Sequence, residues 1–264
     1  MALELNIFCK STVGEEYSPT CFGTTFQHIL GGSGDQTYLD WLLTAWAWTL
    51  SVAGLGLLLA LVLGTLMGSL RTIPNNTLFN KLLIRLSNAW VELFRNIPVL
   101  VQVFLWYHVL PVFIPAFKSF PSYLLVSMAL GFFTSSRVAE QVKAGIQSLP
   151  KGQRFAAEAL GLTTWQSYCF VILPMALRIV IPPLTSEAMN IVKNSSVAFA
   201  VSVSELTLFA MQSQEETSRG IEMYLAVTVL YALTALFVNR VMSLIDKKTR
   251  VPGFISPVSL GGGH

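Results

Sequence analysis

Four ionisable side chains fall inside otherwise apolar stretches of this 264-residue sequence: Arg137, Glu140, Glu187 and Lys193. A charge at membrane depth costs about 3 kcal/mol on insertion scales unless it is paired or wetted, so such groups either pair or line a polar path. Arg137 and Glu140 stand three apart on one helical face, which allows a structural ion pair or a guanidinium snorkelling to the surface. The remaining reading is a planar fork that receives a carboxylate. Further on, Ser186, Glu187, Asn190, Lys193 and Asn194, followed by Ser195, make a polar stripe at spacings of three, four and seven. Such a stripe either joins helices by hydrogen bonds or lines a cavity. These residue types recognise charged groups; they do not form a nucleophilic or metal centre. His28, His108 and His264 are scattered without ligand spacing, and no GxxxxGK[ST] phosphate loop is present.

The elements that carry these residues are apolar helices. The chain is 53% hydrophobic and 12% charged, with mean hydropathy +0.60, too few polar groups to cover a soluble globule. The runs Trp41–Leu70, Trp90–Phe113, Tyr123–Val142, Leu184–Ala210 and Met223–Ile245 each approach or exceed the ~20 residues a crossing helix needs. About five spans follow, with the termini on opposite sides. Arg71, Lys81, Arg85, Arg95, Lys143, Lys151, Arg154, Arg178, Arg240, Lys247, Lys248 and Arg250 then fall on one side, and Lys10, Lys118 and Arg219 on the other. Cytoplasmic loops are the basic ones, so the N-terminus is outside and the C-terminus inside. Pro98 is expected to kink the second span, and Pro182 and Pro183 to set the start of the fourth. Trp41, Trp46, Trp48, Trp90 and Trp106 read as interfacial anchors, and Glu92 and Arg95 as an i,i+3 ion pair. Gly64 and Gly68 read as a packing notch within the chain rather than a dimer contact. No basic stripe points to nucleic acid.

Residues 1–40 are polar, hold Glu4, Glu15, Glu16, Asp35 and Asp40, and lack the pattern of a cleaved signal peptide. Outside the cell they permit a Cys9–Cys21 disulfide, two free thiols being the alternative. Residues 41–246 form the membrane domain, and 247–264, with Pro252, Pro257 and Gly261 to Gly263, a tail that supports no function.

Between two hydrophobic segments lies an ordered polar loop, Leu149 to Pro174. Pro150 and Gly152 stop the preceding helix, good helix formers run from Arg154 to Leu160, and Gly161 suits a left-handed helix end. Thr163 and Gln166 fit a capping box that starts a second short helix running to Pro174. The first helix is expected to expose Arg154 and Glu158 beside Phe155, Ala156, Ala157 and Ala159, small residues that admit a close surface. Physics alone leaves two readings, a docking loop or a hairpin lying on the membrane.

Phe155-Ala156-Ala157, Gly161, and Val171, Leu173 and Pro174 resemble the EAA loop of ABC importer permeases, with Phe155 at the family's glutamate position and Val171 at its isoleucine. Glu158 is the nearest acid to take that glutamate's place. Glu92 to Gln102, Arg137 to Gln153 and Pro182 to Ser196 resemble the polar amino-acid branch, and their wording is nearest to glutamate/aspartate permeases. The resemblance implies an all-α integral membrane protein of the type I importer fold with a cytoplasmic coupling loop. It further implies a cytoplasmic ATPase dimer that holds ATP and Mg, a second related permease or second copy, and a periplasmic binding protein. In that reading Arg154, Phe155, Ala156, Ala157, Glu158, Gly161 and Pro174 serve ATPase coupling. Arg137, Glu187, Asn190, Lys193, Asn194 and Ser195 belong to the substrate path, where Arg137 and Lys193 would complement an acidic amino acid. A permease for another polar amino acid such as glutamine is the alternative. A secondary transporter would need its own coupling-ion site, usually with inverted repeats, and a membrane scaffold would need neither the stripe nor the loop.

Overall fold

The computed structural model describes residues 4–14, 21 and 35–249; Glu15, Glu16, His28, Arg250 and the rest of the C-terminal tail lie outside it. Among the described residues the fold is helical, with one isolated bridge between Ser11 and Thr37. The long elements are α1 (Tyr38–Leu70), α2 (Leu78–Asn96), α3 (Val99–Phe113), α4 (Ser122–Gln147), α5 (Lys151–Ala159), α6 (Thr164–Val201), α7 (Leu206–Thr217) and α8 (Gly220–Thr249). Three of them, α1, α6 and α8, are long and apolar enough to cross a membrane, and the α2–α3 pair adds a fourth candidate if it counts as one broken span.

Local chemistry sets the boundaries. Thr37 and Asp40 cap α1 reciprocally: the Thr37 N–H donates to Asp40 Oδ2 at 3.1 Å, and the Asp40 N–H to Thr37 Oγ1 at 3.3 Å. Pro98 holds Ile97 in extended backbone, and the chain bends by 106° between α2 and α3. The buried Gln102 amide then donates to the carbonyls of Phe94 and Ile97, both at 2.9 Å, satisfying acceptors that the break leaves open. Glu205, wholly buried, caps α7 by accepting from the N–H groups of Thr207 and Leu208.

The sequence expectations need revision at several points. The predicted fourth span is displaced: α6 runs unbroken from Thr164 to Val201, with a π turn at Tyr168–Ile172, and the chain restarts as α7. Pro182 and Pro183 therefore lie inside a helix instead of starting one. Their missing N–H groups free the carbonyls of Arg178 and Ile179. The second short helix of the loop does not end at Pro174 either; the π turn that precedes Pro174 gives its ring room within α6. α4 has the expected length, yet it is polar for a span, with Ser127, Thr134, Ser135 and Ser136 all buried by neighbouring protein.

Packing divides the chain into two compact units. The first comprises Met1–Leu55, Val103–Ser127 and Val192–Ala235. Its core joins Ile7, Tyr38, Leu42, Ala45, Leu206, Phe209, Met223 and Val227. Cys9 and Cys21 are bridged there by a disulfide, with Cα atoms 4.1 Å apart. The second comprises Gly56–Gln102, Met128–Ile191 and Leu236–His264, and its core joins Ala60, Val138, Val142, Ile146, Leu149, Tyr168, Ile172 and Val180. Gly64 permits a close approach within it: a Cβ there would lie 2.5 Å from the Cβ of Val138, so α1 and α4 touch backbone to side chain. The tryptophans expected as interfacial anchors also make contacts within the protein. Trp41 packs edge-on against Phe209, Trp46 Nε1 donates to Thr234, Trp90 Nε1 donates to Ser135, and Trp106 is buried. The indole N–H groups of Trp46 and Trp90 thus find partners inside the protein.

Candidate functional site

The loop between α4 and α6 lies in the second unit and is ordered by its own hydrogen bonds. At the end of α5 the Leu162 N–H donates to the Ala157 carbonyl at 3.1 Å and the Gly161 N–H to the Glu158 carbonyl at 3.0 Å. This is a Schellman closure, and Gly161 occupies its left-handed position with φ +77°. Two residues later the Thr163 N–H donates to Gln166 Oε1 at 2.9 Å, and the Gln166 N–H returns to Thr163 Oγ1 at 3.3 Å, completing the capping box of α6. A stop and a start thus meet within three residues, which makes the turn stiff.

Its inner face is anchored by Leu149, Ala157, Tyr168 and Ile172, all buried. Ala157 is a correction, because the sequence placed it on the exposed face, whereas helical geometry turns it onto the bundle. Ala156 and Ala159 stay outside, and so does Pro174. The outer face carries Phe155 (64% exposed), Leu160 (82%), Trp165 (72%) and Phe170 (73%). A set of large apolar side chains on one ordered turn signals a partner surface. Arg154 and Glu158 pair along α5 at 3.1 Å, so Glu158 is already engaged at the position from which it would replace the motif acid.

The second cluster also lies within the second unit. Arg137 does not pair with Glu140; its Nε lies 2.9 Å from Glu187 Oε2, and Gln141 Nε2 donates to Glu187 Oε1 at 3.1 Å. The Arg137 approach is an ion pair without hydrogen-bond alignment. The Glu187 side chain is 5% exposed and that of Arg137 41%, so a buried anion on α6 is met by a cation that still reaches open space. Glu140 turns instead to Arg71 at 3.0 Å and Arg95 at 3.4 Å, one carboxylate between two guanidiniums. Glu92 is exposed, and the expected Glu92–Arg95 pair is replaced by this one. Asn190 is half-buried on the same helix as Glu187. Lys193, Asn194 and Ser195 belong to the first unit, where Lys193 is exposed and Ser195 donates to the Val192 carbonyl of its own helix at 2.7 Å. Arg71 and Gln141 were missed as site residues. Arg71 looked like one topogenic charge among many, and Gln141 is a neutral residue whose partner is on another helix.

Residues 60–251 match the family described as the binding-protein-dependent transport system inner membrane component. The chain belongs to this family. Within it, the chain is 39% identical over 230 residues to the glutamate/aspartate import permease protein GltJ of Escherichia coli (strain K12), covering 83% of this chain and 92% of that relative. It is 35% identical over 163 residues to the probable glutamine ABC transporter permease protein GlnM of Bacillus subtilis (strain 168), covering 62% of this chain and 74% of the relative. Among solved structures it resembles the crystal structure of an amino acid ABC transporter with histidines, with a TM-score of 0.68, 25% identity, and coverage of 86% of this chain and 100% of that one. The fold is that of a type I ABC importer permease, and the chain is an amino-acid permease of the inner membrane.

Proposed function

We propose that this permease carries an acidic amino acid, glutamate or aspartate, from an external binding protein to the cytoplasm by alternating access, driven by an ATPase on separate chains. The carrying observation is the loop: a stiff Schellman and capping-box turn, anchored by Ala157 and Tyr168, that offers Phe155, Leu160 and Trp165 outward. A rigid element with apolar residues on its free face can transmit a partner's movement to the helices behind it. The chain itself supplies path and lever; ATP and Mg are held by the ATPase. The N-terminal extension with its Cys9–Cys21 bridge faces the periplasm, and the loop faces the cytoplasm, as the distribution of Lys and Arg argues. The second permease of the assembly is a related chain or a second copy of this one.

The substrate class draws on the 39% identity to a glutamate/aspartate permease and on Arg137, whose guanidinium is the partly exposed member of the Glu187 pair. Arg137, Glu187, Asn190, Lys193, Asn194 and Ser195 line the path in this reading. Glutamine is the second substrate reading, favoured by the 35% identity to a probable glutamine permease. Reconstitution with the ATPase, the partner permease and binding protein loaded with glutamate, aspartate or glutamine separates them. Stimulated ATP hydrolysis with the acidic ligands alone supports the first, and equal stimulation by glutamine overturns it.

A further inference from the structure

Helix α2, which lies wholly in the second unit, turns its large apolar side chains away from the protein. Its inward side is fixed by packing: Ser87 and Val91 are buried, Asn88 Oδ1 accepts from Arg71 Nε at 2.7 Å, and Trp90 Nε1 donates to Ser135 at 3.1 Å. Leu78, Phe79, Leu82, Leu86 and Leu93 point the other way, each more than half exposed. From Phe79 to Leu93 they recur at spacings of three, four and seven, which makes one continuous strip. Beside that strip Lys81 and Arg85 stand four apart, and both are exposed. Among the described residues neither forms an ion pair, no acid stands in the first turn of α2, and the next acid along it, Glu92, is seven residues beyond Arg85. Like charges one turn apart repel each other, and the free N–H groups at a helix start add to the positive field. This end of α2 therefore presents leucines to an apolar phase and an uncompensated positive charge to an anion.

α2 alone is not apolar enough to cross a membrane; it qualifies only jointly with α3. α3 contains no Asp, Glu, Lys or Arg, and the chain turns by 106° on entering it, so where α3 points into the bilayer α2 lies along its surface. We propose that the first half of α2 is a membrane-surface helix that binds anionic phospholipid. Phe79, Leu82 and Leu86 enter the boundary between headgroups and acyl chains, and Lys81 and Arg85 extend from the edge of the strip to the lipid phosphates. The Tyr168 hydroxyl bonds to Thr72, ahead of α2, at 3.2 Å, so the lipid is in the leaflet on the side of the α5 loop. Lipid held there fixes the helix that orients Arg71 through Asn88 and brings Arg95 to Glu140. The proposal uses the transport reading only in calling that side the cytoplasm.

The test is local fluorescence quenching on the assembled transporter in nanodiscs. A bimane label is placed at Leu82→Cys in a Cys169→Ser background, or at Phe79→Cys if the first variant fails to assemble. The quenchers are brominated phosphatidylcholine, brominated phosphatidylglycerol and aqueous iodide. Both lipids should quench and iodide should not, with phosphatidylglycerol the stronger of the two. Lys81→Gln with Arg85→Gln should lower the preference for phosphatidylglycerol by about fivefold for each cation removed. Lys81→Arg with Arg85→Lys should keep it, since the charge is unchanged. Quenching by iodide would place the strip in water, and quenching by none of the three would place it under protein, such as the second permease; either overturns the proposal. So does equal quenching by the two lipids, or a preference that survives Lys81→Gln with Arg85→Gln. None of these readouts uses a substrate, so binding-protein-stimulated ATP hydrolysis reports the transport reading separately.

Discussion

Arg137 and Glu187 are joined across two helices, Nε to Oε2 at 2.9 Å, with the carboxylate buried and the guanidinium reaching open space. On the proposed substrate path, a carboxylate that came to Arg137 would have to compete with Glu187. The two protein side chains hold each other in position, with Gln141 keeping the carboxylate placed from its other oxygen.

Arg137→Ala leaves Glu187 as a buried uncompensated anion and should destabilise the chain by about 1–3 kcal/mol, less than the ~3–5 kcal/mol of a fully buried pair because Arg137 is partly exposed. Adding Glu187→Gln removes the anion and should restore most of that loss. Thermal unfolding in detergent measures the stability, and glutamate uptake by vesicles measures the role. Uptake should stay low in the double variant. Uptake that returns together with stability would make Arg137 a structural residue.

Glu140→Gln releases two arginines at once, of which Arg71 is nearly buried. The cost should be about 1–3 kcal/mol of unfolding free energy. Arg95→Ala, which removes the more exposed partner, should cost less, at about 0–1 kcal/mol. The order of the two melting temperatures is the check.

Gly161→Ala introduces no clash, since a Cβ there meets nothing within 4 Å, so its effect isolates the backbone. Holding alanine at φ +77° should cost about 1–2 kcal/mol, and Gly161→Asn should cost less. Binding-protein-stimulated ATP hydrolysis should fall more in the alanine variant than in the asparagine one. Equal activity in both would show that the rigidity of the turn is not needed for coupling.

Phe155 and Trp165 are mostly exposed, so Phe155→Ala and Trp165→Ala should alter stability by no more than about 0.5 kcal/mol. Both should nevertheless lose ATPase during co-purification. Phe155→Glu, which installs the acid that the resemblance to the EAA loop places there, should retain the ATPase. Undiminished retention in all three variants would remove Phe155 and Trp165 from the docking surface.

Gly64→Leu forces a side chain into Val138 and the Ser135 carbonyl and should destabilise by at least about 1–3 kcal/mol. Gly54→Leu, at a glycine with open space around it, should be tolerated. Comparing their unfolding midpoints tests whether the Gly64 notch is an internal contact.

Read alone, the sequence determined what depends on neighbours along the chain. Gly161 and the Thr163–Gln166 box were legible because Schellman and capping-box bonds close within five residues, and a single residue type satisfies each backbone demand. The apolar bulk of α1 and α8 was legible because hydrophobic transfer depends on composition. Pairing depended on the tertiary structure. Arg137 had acids three and fifty residues away, and helix spacing favoured Glu140; the fold instead gave Glu140 to Arg71 and Arg95 and left Glu187 for Arg137. A charge pairs with whichever opposite charge packing brings within about 4 Å, and sequence distance carries no term in that energy. The prolines show the same limit: Pro182 and Pro183 look like a boundary locally, yet α6 continues through them because its other residues pack on both sides of the break. Ala157 faces inward and Phe155 outward for the same reason, since only the bundle behind α5 decides which side of that helix is its core.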